Sequence, residues 1–189
     1  MDTSQARDHL DSAATILRHA DRRLRFPAWV FIIWGLFGTT VNTLAQMRVA
    51  GFQLPSDSTI QLPLLLVAIG ATVVMSLRGD SQRETLVDRH TGILFAVVFG
   101  VLLLASVILQ HKVVPYQAIG IFWGLGFAIA LIVVGIEASR PLLIGGFLLL
   151  VACLSTAWFP GFFNGLLALG WFAGMVLPGV ILAWKRVDG

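Results

Sequence analysis

Six stretches of the chain are continuously apolar over 18 residues or more and carry no charged side chain: 28–46, 60–77, 91–109, 113–136, 141–159 and 165–184. A helix satisfies all of its backbone hydrogen bonds internally, and about 20 apolar residues in that form cross the hydrocarbon of a bilayer. The strands of a membrane barrel alternate apolar and polar residues over about 10 positions. These stretches do not alternate, so the fold class expected is an all-α membrane protein with six transmembrane helices. None of the 13 Lys and Arg or the 10 Asp and Glu falls inside a stretch. That segregation follows from the cost of charge in lipid. Charged residues are 12% of the chain, against roughly 25% in ordinary soluble domains, which excludes a soluble globule.

Orientation follows from the cationic residues, because cytoplasmic loops carry the excess of Lys and Arg. Placing the N-terminus inside puts Arg7, Arg18, Arg22, Arg23, Arg25, Arg78, Arg83, Arg89, Arg140, Lys185 and Arg186 on the cytoplasmic side. Only Arg48 and Lys112 are left outside. The expectation is a multi-pass protein of the cell (inner) membrane with both termini cytoplasmic. The residues before the first stretch mix Arg with Asp, so that stretch reads as a retained span rather than a cleaved signal. The sequence pI near 9.8 then reports orientation and contact with the lipid bilayer, and no nucleic-acid partner is expected.

Breakers mark the boundaries. Pro27 and Pro141 suit first-turn positions, Gly79 suits a helix end, and Pro115 and Pro160 stand at stretch edges. Pro63 falls near the start of the second stretch, where a tilted start is expected. Pro178 and Gly179 predict a kink in the sixth.

The chain divides into 1–26 and a six-span bundle over 27–189. In the first part, Ala6, Leu10, Ala13, Ala14, Leu17, Ala20 and Leu24 recur at three- and four-residue spacing. This predicts a short amphipathic cytoplasmic helix. The segment 78–90 holds Ser81-Gln82-Arg83-Glu84, a Ser-x-x-Glu capping box that starts the third helix ahead of its apolar stretch. The helix suits the membrane interface or its own spans, and Arg83, Glu84, Asp88 and Arg89 suit a solvated, ion-paired face; docking of a protein partner at this helix and segment is the alternative reading.

Small residues at one-turn spacing let helix backbones approach closely in lipid. Gly120 and Gly124, Gly161 and Gly165, and Gly170 and Gly174 form three such pairs, and packing within the bundle is the role expected of them. Trp34-Gly35-Leu36 reappears as Trp123-Gly124-Leu125, and the Leu64–Ala68 motif reappears at Leu148–Ala152. The order is that of a three-plus-three inverted repeat, although Leu-rich spans also generate such matches.

The spans hold no ionisable side chain of the kind that marks proton relays, cation carriers or intramembrane aspartyl proteases. A serine protease would need a nucleophile with a nearby His base, and bis-histidine haem would need facing His pairs. His90 and His111 flank opposite ends of the third stretch. Cys153 is the single cysteine, so no intrachain disulfide or dithiol chemistry is available. No catalytic residue, cofactor site or metal site is expected. Polar residues gather instead at the outer ends of the stretches. Asn42, Gln46, Gln110, His111, Gln117 and Trp158 are candidates to line one outward-facing pocket. Two functions fit: a non-enzymatic accessory or scaffold subunit of a membrane complex, or a small-solute or lipid-binding protein resembling a transporter's substrate-capture subunit in size and topology.

Overall fold

The computed structural model describes residues 28–55, 57–78, 86–111 and 116–187. The amphipathic helix expected over 1–26, the capping box at 81–84 and Gly79 lie outside them. Every regular element among the described residues is helical. In chain order these are α1 (Ala28–Val49), α2 (Asp57–Arg78), α3 (Leu86–His111), α4 (Tyr116–Ala138) and α5 (Arg140–Ser155). A 3-10 turn (Pro160–Phe162) then leads into α6 (Phe163–Trp171), a π segment (Phe172–Val176) and α7 (Leu177–Val187). Four runs are long and apolar enough to cross a membrane: Ala28–Val49, Gly92–Leu109, Ala118–Ile136 and Pro160–Trp184. Thr59–Met75 and Arg140–Ser155 are shorter apolar helices.

Local chemistry explains where the helices depart from the apolar stretches. α1 continues past Gln46 to Val49 and ends in a Schellman motif, with Gly51 N–H bonded to Arg48 O at 2.9 Å and Phe52 N–H to Met47 O at 3.1 Å. This ending needs a left-handed residue, and Gly51 supplies it at φ 95°. The Arg48 guanidinium donates to Pro55 O and closes the loop behind it. α3 is already helical at Leu86, ahead of its apolar stretch. α2 passes through Pro63.

The fifth apolar stretch, expected to be helical over 141–159, is a helix only to Ser155. Thr156 closes it by turning its hydroxyl back to Cys153 O at 2.6 Å. Its N–H also reaches Cys153 O, and Pro160 has no N–H with which to continue. The final helix widens before Pro178. Leu177 N–H bonds Phe172 O, five residues back, across the π segment. Pro178 brings no N–H for the preceding turn, and a wide turn is one way a helix accommodates that loss.

α4 and α5 form a tight antiparallel hairpin joined through Ser139, whose backbone is extended at φ −165° and ψ 120°. At their contact a Cβ on Gly135 would lie 2.2 Å from Leu143 N, so only glycine allows this closeness. α1 packs along α6, the π segment and α7, and α5 packs along the same three segments through a neighbouring face. α2 rests on α1, and α3 rests on α4.

Eight aromatic rings tie the bundle together. Phe31, Trp34 and Phe37 come from α1, Phe95 and Phe99 from α3, Trp123 and Phe127 from α4, and Trp171 from α6. They connect through Phe31–Phe95, Trp34–Phe37, Trp34–Phe99 and Phe99–Trp123, then through Phe95–Phe127, Trp123–Phe127 and Phe127–Trp171. Most are edge-to-face or tilted at 5.1–6.3 Å, arrangements that the ring quadrupoles favour. The repeated Trp34 and Trp123 both join this cluster. Among the described residues α5 packs on α6, whereas its counterpart α2 packs on α1 and makes no comparable contact with α3.

Candidate functional site

Where α1 meets α6, side chains from both helices share one antiparallel seam. Gly35 faces Met175 and Val176, Gly38 faces the Trp171 ring, and Gln46 bonds Gly165. Helical spacing puts Asn42 on the same stripe of α1 as Gly35, Gly38 and Gln46. Asn42 and Gln46 stand one turn apart on α1, and Asn164 begins the helix that Gln46 caps.

They are engaged differently. The 3-10 turn delivers the chain into α6 without a side-chain cap of its own. Gln46 supplies the cap from α1, accepting from Gly165 N–H at 3.0 Å and donating to Gly161 O at 3.2 Å. An orphan N–H of a helix start is satisfied in this way by a residue more than a hundred positions earlier. Asn42 turns its NH₂ onto Gly38 O at 2.8 Å within its own helix. Asn164 is buried at the start of α6.

Of the six residues expected to line one pocket, Asn42 and Gln46 share this seam, and Trp158 stands on the exposed turn after α5. The side chains of Gln110, His111 and Gln117 lie outside the described residues. Asn164 belongs to the same region but not to that expected set. What would have singled it out is its place on the buried stripe with Ala168 and Trp171.

The small residues have distinct surroundings. A Cβ on Gly124 would meet Cys153 Sγ at 2.4 Å, and one on Gly120 would meet Leu167 at 3.3 Å. Gly170 faces Ala152 and Leu149, and Gly174 faces Leu149 and the carbonyl of Gly145. Gly165 is covered by the Phe162 ring of its own turn, and Gly161 has open space beside it. Close contacts also occur at Gly35, Gly38, Gly145 and Gly146. A search for glycines four apart passes over these, because their spacings are three and one.

Several hydroxyls bond within their own helices. Thr39 bonds Gly35 O, Thr72 bonds Ala68 O and Ser155 bonds Val151 O. Ser106 bonds Leu102 O at 2.7 Å and accepts Trp123 Nε1–H at 2.6 Å, which satisfies the indole inside the aromatic cluster. Among the described residues no three His, Cys, Asp or Glu side chains group as metal ligands. Carboxamides and hydroxyls bind by donating and accepting hydrogen bonds, and binding is the chemistry this seam offers. Comparison with protein-family models, curated proteins and solved structures finds no match for the chain.

Proposed function

We propose that this chain is a six-span integral protein of the inner membrane, with both termini cytoplasmic, that serves as a non-enzymatic accessory or scaffold subunit. The observation that carries this reading is the aromatic cluster. Eight rings from four helices, four of them buried, pack on one another inside the bundle, where a carrier would need a passage. The periphery supports it too. α3 presents Ile93, Val97, Val101, Leu104, Val107 and Ile108 outward, and only 11% of its apolar span is buried. In this reading α2 and α5 also span, using their short apolar cores, and the partner docks at 1–26 and 78–90. Gln46 uses both its amide atoms on the turn before α6 and Trp158 is exposed, which favours the accessory role over a six-residue solute vestibule.

Native mass spectrometry of gently extracted protein tests the role: a co-purifying protein subunit lost on deleting 1–26 supports it, and a lone chain in every mild detergent refutes it. Cysteines placed at Arg7, Ser81 and Asp188 should be shielded from an impermeant thiol reagent in intact cells, and those at Asp57 and Lys112 labelled. Labelling at Ser81 would overturn the topology.

A further inference from the structure

α5 and the final helix run antiparallel, with Gly170 beside Ala152, Gly174 beside Gly145, and the Pro178 ring 2.6 Å from where a Cβ on Gly145 would stand. The next residue on each helix faces the bundle: Gly146 packs on Ala128 O and Ile132 of α4, and Gly179 packs on Ala28 O and Ile32 of α1. Successive residues turn by about 100° round a helix. Ile144 therefore falls on the side of Gly145 away from α4, and Leu177 on the side of Pro178 away from α1. Both are exposed, at 59% and 43%, as are Leu148 at 45% and Ile181 at 43%. These four side chains wall a furrow on the outward surface of the helix pair.

Each wall ends in a cation, and the antiparallel arrangement puts both cations at the same end. At four-residue spacing α5 reads Arg140, Ile144, Leu148, and the final helix reads Leu177, Ile181, Lys185. Arg140 opens α5 and is exposed. Lys185 lies in the last turn of α7, next to Trp184, which is 73% exposed as an interfacial aromatic would be. The acid nearest to Arg140 in sequence, Glu137, stands about 200° round α4 from Gly135, the residue that packs on α5. Asp188 lies outside the described residues. An apolar furrow with a guanidinium and an ammonium at its mouth matches a phosphate diester joined to acyl chains. We infer that this furrow holds one anionic phospholipid, its phosphate between Arg140 and Lys185 and an acyl chain along the apolar walls. The site rests on the reading that both helices span, and it adds a lipid of defined charge to that reading.

The test is native mass spectrometry of the full chain in dodecyl maltoside, given phosphatidylglycerol and phosphatidylcholine with identical acyl chains at equal mole fraction. One phosphatidylglycerol should be retained per chain, roughly tenfold over phosphatidylcholine, as two cations beside an anionic headgroup imply. Arg140→Gln combined with Lys185→Gln should bring that ratio close to one. Arg83→Gln with Arg89→Gln, the same loss of charge in the segment 78–90, should leave it unchanged, and glycerol phosphate in excess should not displace the lipid. Equal retention of the two lipids by wild type, equal loss of selectivity in both double variants, or displacement by glycerol phosphate overturns the inference. Should the first double variant fail to fold, wild-type fluorescence decides. The emission missing from Trp184→Phe should be quenched at a lower mole fraction by phosphatidylglycerol with brominated chains than by brominated phosphatidylcholine, and equal quenching refutes the site. Selectivity in micelles does not depend on which side of the membrane the furrow faces, so a reversed topology and a failed lipid site give different results.

Discussion

Replacing Gln46 by Leu keeps the side chain's bulk at the α1–α6 seam and removes two hydrogen bonds, to Gly161 O at 3.2 Å and from Gly165 N–H at 3.0 Å. Cross-helix hydrogen bonds in membrane proteins average about 0.6 kcal/mol and reach about 1.7, and loss of a helix N-cap costs about 1 kcal/mol. The pair therefore sets a loss of about 1 to 3 kcal/mol. Gln46→Glu separates the two contributions. A carboxylate still accepts from Gly165 N–H and is favoured at a helix start by the macrodipole, but it cannot donate to Gly161 O. Reversible unfolding in mixed detergent micelles should rank wild type above Gln46→Glu, and Gln46→Glu above Gln46→Leu. Thr43→Leu, at an exposed position of the same helix, serves as the reference. If Gln46→Leu unfolds at the same point as Thr43→Leu, the clamp does not hold the turn, and the reasoning fails.

Two further expectations rest on contacts already described. Gly124→Ile and Gly174→Ile should abolish monodisperse folded protein, because their Cβ atoms meet Cys153 Sγ and the α5 backbone; Gly100→Ile on α3, where nothing lies within 4 Å, should leave size-exclusion profile and thermal stability unchanged. Trp123→Phe and Ser106→Ala should each cost about 1 kcal/mol in an unfolding titration, and a double-mutant cycle should show that the pair is not additive, since either change removes the same 2.6 Å bond.

The helices were legible because lipid excludes charge, and an uncharged stretch of bilayer length leaves the backbone one solution. Their ends were less so. The stop at Ser155 depends on Thr156 folding back onto Cys153, and the sequence offers no reason to prefer that turn to continued helix through Phe159. The π segment reflects Pro178 together with what α5 presents beside it, which pattern alone does not reveal. The cap from Gln46 pairs positions far apart in the chain, so its polar character was visible and its partner was not. The polar clustering near the ends of α1 and α6 was readable; that Gln46 would reach the turn before α6 was decided by the register of two helices.

Where α5 packs on the final helix, a Cβ on Gly145 would lie 2.3 Å from Gly174 O and one on Gly174 would lie 2.8 Å from Gly145 O, with the Pro178 ring alongside. Proline leaves a carbonyl in the preceding turn without its usual donor, and a close backbone approach offers such a carbonyl the weak donor of a polarised Cα–H. The crossing is thus a backbone-to-backbone junction. Side-chain shape elsewhere along these helices can vary and repack, but a junction made from main-chain atoms admits no sliding by a turn. It acts as a fixed pin between two rods, setting the depth at which α5 sits against the final helix.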